Sequence, residues 1–279
     1  MDSLSLKYEK LRSFVEEKGR DGVVIAFSGG VDSSTLAAVC FEVLGGRAVA
    51  VIGDSPTYPS GELEWAKKIA GEIGIRHFVV ETCELSDENF VKNPEDHCYY
   101  CKKDLIGCLQ DFGFNLGFNV VFEGTNFSDL GSHRPGFKAV EEVQDVFSPW
   151  VICEFTKDDI RELAQKLGFS FFDKPSLACL SSRIPFGERI TVEKLVRVSK
   201  AEQFIKNISG VRQVRVRDHN GLARIEVGVD ERYHLLDIVL LDRIKKELKQ
   251  LGFSFITFDL EGYRSGSMLM TVENNEKSS

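Results

Sequence analysis

Residues 28–34 read Ser-Gly-Gly-Val-Asp-Ser-Ser, preceded directly by Val23-Val24-Ile25-Ala26-Phe27 and followed directly by Thr35-Leu36-Ala37-Ala38-Val39-Cys40. An apolar run, a glycine turn and a helix-prone stretch in that order spell strand, loop, helix. Neither glycine carries a Cβ, so the backbone can pass close to a bound anion. The first N–H groups of the helix lack intrahelical partners and sit at the positive end of its dipole. Ser28, Ser33 and Ser34 add hydroxyl donors. A phosphate is the natural occupant of such a turn. The GxxxxGK pattern of a kinase-type loop, whose lysine attends the terminal phosphates, is absent. Asp32 stands instead where a magnesium ion could be held.

The order Ser-Gly-Gly-Val-Asp-Ser resembles the pyrophosphatase loop, or PP-loop, of ATP-dependent adenylating enzymes such as GMP synthetase, NAD synthetase and tRNA thiolation enzymes. That resemblance implies ATP cut between its α and β phosphates, with Ser28, Gly29, Gly30, Val31, Asp32, Ser33 and Ser34 around it.

Up to about residue 170, short β-rich runs alternate with helical stretches, the signature of a parallel sheet with crossover helices. Strands are expected at 23–27, 47–52, 76–80, 119–123 and 147–152, and helices at 32–44, 60–73, 98–112, 135–143 and 156–167. The fold class is α/β, with a PP-loop domain over 1–175 and a smaller α+β domain over 176–279. Ligands of such sheets bind at the carboxyl ends of the strands. Asp54-Ser55-Pro56 and Glu123-Gly124-Thr125-Asn126 fall there, which adds Asp54, Gly124 and Thr125 to the ATP-binding set.

Residues 172–189 read as a loop joining the domains, followed by a helix at 191–207, a hairpin, a helix across 231–250 and a last strand near 253–260. Asn220-Gly221 is a two-residue turn signal. It pairs Val216 with Ile225 and Val214 with Val227 on the buried face. The other face then sets Arg217 opposite Arg224 and Arg215 opposite Glu226. Two facing arginines repel unless something anionic lies between or above them. A solvated edge and a phosphate site both account for these residues, and arginine's fork suits phosphate oxygens.

With 43 acidic and 35 basic residues, the chain is not expected to bind nucleic acid over a broad surface. No apolar run approaches the ~20 residues of a membrane span, and the start lacks the pattern of a secretory signal. A cytoplasmic protein is the expectation. Seven cysteines, an odd count, argue against a disulfide framework. Cys98-Tyr99-Tyr100-Cys101 is a CxxC at an expected helix start, open to reading as a redox pair, half a zinc site beside His97, a pair of cluster ligands, or coincidence. Cys40, Cys83, Cys108 and Cys153 lie among apolar residues and read as small core side chains. With Cys179 in the interdomain loop, three cysteines supply one ligand fewer than a cuboidal iron–sulfur cluster needs, leaving one iron open to an exogenous sulfide. Adenylation makes AMP a leaving group for a nitrogen or sulfur nucleophile. The chain shows no glutaminase domain to supply ammonia, so sulfur is the better nucleophile.

Nearly the whole chain resembles the LarE family, ATP-dependent sulfur transferases of nickel-pincer nucleotide biosynthesis. The matching stretches are Ser28 to Ser33, Asp54-Ser55-Pro56, Glu123-Gly124-Thr125-Asn126, Arg134-Pro135-Gly136, Ala178-Cys179-Leu180-Ser181-Ser182-Arg183-Ile184-Pro185, Arg215-Val216-Arg217 and Gly262-Tyr263-Arg264-Ser265-Gly266-Ser267. The resemblance implies adenylation of a carboxylate on a pyridinium dicarboxylate mononucleotide, then replacement of AMP by sulfur. One form of the family sacrifices the sulfur of a single cysteine matching Cys179. The other adds a CxxC, and Cys98, Cys101 and Cys179 would bind a [4Fe-4S] cluster carrying a transferable sulfide, renewed by a sulfide donor. The resemblance further implies Asp32 and Cys179 as catalytic residues, Asp32 on magnesium, and Ser182, Arg183, Arg215, Arg217 and Arg264 on the substrate's phosphate. Glu202 would lie near the transfer site, although by itself it reads as a helix-surface residue. Family members form higher oligomers, and the apolar stretch 235–251 serves either an interface or the core. Two departures bear on the substrate: Leu269 follows Met268 where the family has asparagine, and Ser132-His133 replace the acidic residue ahead of Arg134. A tRNA thiolation enzyme is one alternative, and a zinc-containing nucleotide-binding or sulfur-carrier protein another.

Overall fold

The structure, a computed structural model, describes residues 2–131, 135–175 and 178–264. Ser132, His133, Arg134 and the stretch from Ser265 to Leu269 lie outside the described residues. The chain divides into two compact units. The first takes Met1–Ser55, Ser60–Glu84 and Asp96–Leu177, and the second takes Pro56–Pro59, Leu85–Glu95 and Ala178–Ser279.

In the first unit α1 (Ser3–Lys18) leads to β1 (Val23–Ala26), α2 (Val31–Leu44), β2 (Ala48–Asp54), α3 (Glu62–Ile73) and β3 (His77–Glu81). A short α4 (Glu88–Val91) belongs to the second unit. The first then resumes with α5 (His97–Leu116), β4 (Val120–Phe122), α6 (Pro135–Glu141), β5 (Val146–Phe147), α7 (Pro149–Ile152) and α8 (Lys157–Lys166). The strands form one parallel sheet in the order β3-β2-β1-β4-β5. The chain winds outward from β1 to β3 and then starts again on the other side at β4, so the winding reverses between β1 and β4. A crevice at the carboxyl ends of those two strands is where such a sheet takes its ligand.

Alternate residues of the strands feed opposite cores. Val23, Ile25, Ile52 and Phe122 pack with Leu11, Val15, Leu36, Ile69 and Ile160 of α1, α2, α3 and α8. Val24, Val49, Val51 and Val121 pack with Ile106 and Leu109 of α5 and Ala139 and Val140 of α6. Burial on both faces is why these strands read as unbroken apolar runs.

The strand expected at 147–152 is corrected. Only Val146–Phe147 pair, and Pro149–Ile152 form a helical turn. Proline has no N–H to donate to a ladder but suits the first position of a helix, which Pro149 occupies.

In the second unit α9 (Val192–Ser209) precedes the antiparallel pair β6 (Val214–His219) and β7 (Leu222–Val227) in the expected register, Val216 against Ile225 and Arg217 against Arg224. Asn220 and Gly221 both have positive φ, at 47° and 92°, as a type I′ turn requires. The helix expected across 231–250 is instead a 3-10 stretch, Val229–Leu235, followed by α10 (Ile238–Gln250). Leu236 ends the first and Asp237 caps the second, accepting the Leu240 N–H at 2.7 Å. Ile244 and Leu248 of α10 are buried, whereas Leu236, Ile238 and Val239 are exposed. The last strand, β8 (Phe255–Phe258), runs parallel to β7. Among the described residues no helix is long and apolar enough to cross a membrane.

Candidate active site

The glycine loop leaves the end of β1 beside the crevice. Gly29 has φ +68°, and a Cβ there would stand 2.8 Å from the Ala66 Cα, so both conformation and space demand glycine. Gly30 caps α2 without a side chain, and the first intrahelical bond runs from Ser34 N–H to Gly30 O at 3.0 Å. The N–H groups of Val31, Asp32 and Ser33 are therefore the helix's orphan donors. Ser33 Oγ accepts the Ser28 N–H at 3.1 Å and donates to Gly30 O at 3.2 Å, so this hydroxyl shapes the loop itself. Both tryptophans of the chain hold carbonyls of the loop and the helix after it: Trp65 Nε1 donates to Gly29 O at 2.9 Å and Trp150 Nε1 to Asp32 O at 3.1 Å.

The Asp32 carboxylate pairs with Lys157 Nζ on Oδ2 and accepts Asn126 Nδ2 at 3.5 Å on Oδ1. Across the crevice a Cβ on Gly124 would lie 3.2 Å from the Ser33 nitrogen, so only glycine leaves the first turn of α2 open from the β4 side. Thr125 is engaged with Glu123, donating from its N–H at 3.1 Å and its hydroxyl at 2.8 Å. Asp54 is exposed at the end of β2, its carbonyl accepting the Thr82 N–H at 3.1 Å. Glu123 is buried and also takes Lys102 Nζ at 2.7 Å and the Ser148 hydroxyl. Burial pushes its carboxyl up, but the Lys102 ammonium and the Ser148 and Thr125 hydroxyls outweigh burial and hold it below the usual carboxylate range.

Cys98 and Cys101 stand in the first turn of α5, three residues apart and so on one face. Cys98 is exposed and Cys101 half-buried. They belong to the first unit and Cys179 to the second. Among the described residues no group of three or more His, Cys, Asp or Glu is gathered that could hold a metal ion.

In the second unit, Cys179 is half-buried just before the 3-10 turn Leu180–Arg183. Its carbonyl accepts Ser182 Oγ at 2.8 Å and Arg183 Nη1 at 2.9 Å. Arg183 is fully buried and grips Glu202 of α9 through Nε at 2.9 Å and Nη2 at 3.3 Å, while Glu202 Oε1 also accepts the Val216 N–H at 3.0 Å. Glu202 is thus not a helix-surface residue but a buried bracket between α9, β6 and the turn after Cys179. The anion expected between the hairpin arginines is supplied by the protein. Arg217 donates twice to Glu226 Oε2, at 3.0 and 2.8 Å, and Arg224 donates to Oε1 at 2.9 Å. The third Arg217 nitrogen donates to Ser182 O at 2.9 Å.

Arg215 differs from its neighbours. It is 5% exposed, donates to Val214 O at 2.8 Å and lies 5.3 Å from the Tyr263 ring, and among the described residues it makes no direct ion pair, the Glu202 carboxylate acting on it only from a distance. Burial, and after it the nearby Arg183 charge, pull its pKa below the usual arginine value. Arg264 pairs with Glu261.

The chain's first third, residues 4–97, matches the NAD synthase family. Over 95% of its length it is 43% identical to an uncharacterized protein of Synechocystis sp., covering 97% of that protein. Over 98% it is 35% identical to the pyridinium-3,5-bisthiocarboxylic acid mononucleotide synthase of Lactiplantibacillus plantarum, again covering 97% of the relative. This chain belongs to the LarE family. An uncharacterized protein of Methanocaldococcus jannaschii, 31% identical over 93% of this chain and 98% of its own, is a further relative. A LarE-family sequence with a NAD-synthase-like PP-loop domain supports an ATP-using enzyme.

Two of the four cysteines expected in the core of this LarE-family chain are not there: Cys40 and Cys153 are buried, whereas Cys83 is exposed and Cys108 half-buried. Cys83 follows β3 and Cys108 lies on α5, and neighbouring Asp104 takes the Cys83 N–H at 2.9 Å, so this is a polar margin. Burial raises the Cys153 thiol to about 11. Lys157 and Lys102 escaped the sequence reading, and Glu226 was read only as the residue facing Arg215. Lys157 had one signal, its place at the start of a helix after the last strand of the sheet, where loops converge on the crevice.

Proposed function

We propose that the chain is an ATP-dependent sulfurtransferase that adenylates a carboxylate of a pyridinium dicarboxylate mononucleotide and exchanges AMP for sulfur, giving a thiocarboxylate. The observation that carries this reading is near full-length identity of 35% to a pyridinium-3,5-bisthiocarboxylic acid mononucleotide synthase. It is supported by a loop whose orphan N–H groups flank Asp32 and Lys157.

The Val31, Asp32 and Ser33 N–H groups and the positive end of α2 bind the phosphate oxygens of ATP. The Asp32 carboxylate suits Mg2+, an oxygen-seeking ion that bridges protein carboxylates and phosphates. Lys157, which neutralises Asp32, is then available to the phosphates. The substrate carboxylate attacks the α phosphorus, the bond to the bridging oxygen breaks, and pyrophosphate leaves with the electron pair. A sulfur nucleophile next adds to the acyl carbon, and AMP leaves with the electrons of the C–O bond. Arg215, buried without a carboxylate, takes the substrate's phosphate. Arg183 and Arg217 lie beside Arg215, held by Glu202 and Glu226.

Cys98, Cys101 and Cys179 would hold a [4Fe-4S] cluster with one iron left without a protein ligand. Such a cluster would supply a transferable sulfide. The first unit would serve the nucleotide and the second the substrate anion, with the exposed Leu236, Ile238 and Val239 face joining copies of the chain. The test is ATP turnover by anaerobically purified protein with and without the pyridinium dicarboxylate mononucleotide. AMP, pyrophosphate and a product with oxygen replaced by sulfur should appear only with that substrate. Turnover indifferent to it would refute the proposal.

A further inference from the structure

The chain has two tryptophans, and each gives its only hydrogen-bond donor to a carbonyl of the glycine loop or its helix. The two bonds are not equivalent. Asp32 O lies inside α2, where the helix already sets its direction. Gly29 O lies in the turn, at a residue with φ +68°, where no regular structure orients the peptide.

Trp65 is itself held firmly. Lys174 Nζ stands 4.6 Å from its ring centroid and is tied to Glu62 Oε2 at 2.8 Å, and Lys68 Nζ is 5.5 Å from the same ring. Glu62, Trp65 and Lys68 recur at three-residue spacing on α3 and share one side of it. Across a planar trans peptide the C=O of one residue and the N–H of the next point in opposite directions. Holding Gly29 O therefore fixes the Gly30 N–H. Among the described residues that N–H has only a long contact, 3.4 Å, to Ser28 Oγ.

The geometry points to Trp65 as a positioning residue for the nucleotide: by fixing the Gly29 carbonyl it presents the Gly30 N–H to a phosphate oxygen, extending the row of donors at Val31, Asp32 and Ser33. This rests on the nucleotide role proposed for the loop. Lys174 and Glu62 keep the indole in the plane that makes the bond.

Trp65→Phe keeps a ring beside Lys174 and removes the N–H. Calorimetry should show ATP bound about 5- to 10-fold more weakly, as expected for one hydrogen bond, with adenosine, which has no phosphate, bound as before. In pyrophosphate release the KM for ATP should rise by the same factor with kcat nearly unchanged, the mark of a lost ground-state contact. If phenylalanine disturbs folding, benzothienylalanine at position 65 keeps the indole shape without the N–H and should give the same split. Unchanged ATP affinity, or equal losses for ATP and adenosine, would overturn the assignment while leaving the nucleotide loop intact. A wild-type chain that binds no ATP would overturn the nucleotide reading, and the assignment with it.

Discussion

Replacing Arg215 by methionine should stabilise the protein and weaken its hold on the substrate's phosphate. A buried charge costs several kcal/mol even after relaxation. Against this stand one hydrogen bond to Val214 O, about 1–1.5 kcal/mol, and a cation–π contact with Tyr263, about 1–2 kcal/mol. Methionine fills a similar volume without charge, so a gain of about 1–3 kcal/mol is expected. For a chain of this size that is roughly 2–5 °C in Tm. A charge-assisted bond to phosphate contributes about 1.5–3 kcal/mol, so the KM for the mononucleotide should rise about 10- to 100-fold, while binding of ATP is untouched. Thermal unfolding and initial-rate titrations of the two substrates read both effects from one preparation. A variant at least about 1 kcal/mol less stable than wild type, with substrate affinity kept, would show that the cation is compensated after all and that the anion site lies elsewhere.

Asp32→Asn should abolish pyrophosphate release while leaving the iron and acid-labile sulfide content of anaerobic protein unchanged; normal release would remove Asp32 from the chemistry. Cys179→Ala should still form AMP and pyrophosphate in a single turnover but make no thiocarboxylate, and an active variant would contradict the assignment of that thiol. Glu226→Gln strips Arg217 and Arg224 of their shared carboxylate and should cost about 3–5 kcal/mol in urea unfolding. Glu123 has a folded-state pKa below its ordinary value of 4.5, so the stability it contributes is complete above that value and is lost as pH falls through the folded one. Urea midpoints between pH 7 and 3 should therefore drop less steeply in Glu123→Gln than in wild type.

The parallel sheet was legible because its strands are buried on both faces and leave contiguous apolar runs, and the hairpin because Asn220-Gly221 admits one turn type. The loop's own residues were legible as well, since glycine and a capless helix start are local features. Less of the rest follows from local pattern. Helix α1 buries only Leu4, Leu11 and Val15 among many charges, a thin stripe that does not stand out in the sequence. Val146 to Ile152 is β-branched and aromatic enough for a strand, and Pro149 was the sign against it. The meetings of Lys157 with Asp32 and of Lys102 with Glu123 join residues far apart in the chain, which no periodicity encodes. The hairpin register forced two arginines face to face, but not that Glu226 would reach both and leave Arg215 alone.

The second unit is assembled from three separate stretches of the chain. Thr57 O accepts the Leu180 N–H at 2.7 Å, Asn93 Nδ2 donates to Ile184 O and Pro185 O at 3.1 and 2.8 Å, and Val91 O accepts the Ile190 N–H at 2.8 Å. The arm that carries Cys179 is thus propped by two short passages separated from it by some ninety residues or more. No single cut can excise either unit whole. Such closures come late in folding, because their loop entropy must be met before the contacts form, so Cys179 reaches its final setting only after the two upstream passages have been ordered. A gene fragment starting at Ala178 would encode every hairpin arginine and yet lack the backing that holds Cys179 in place.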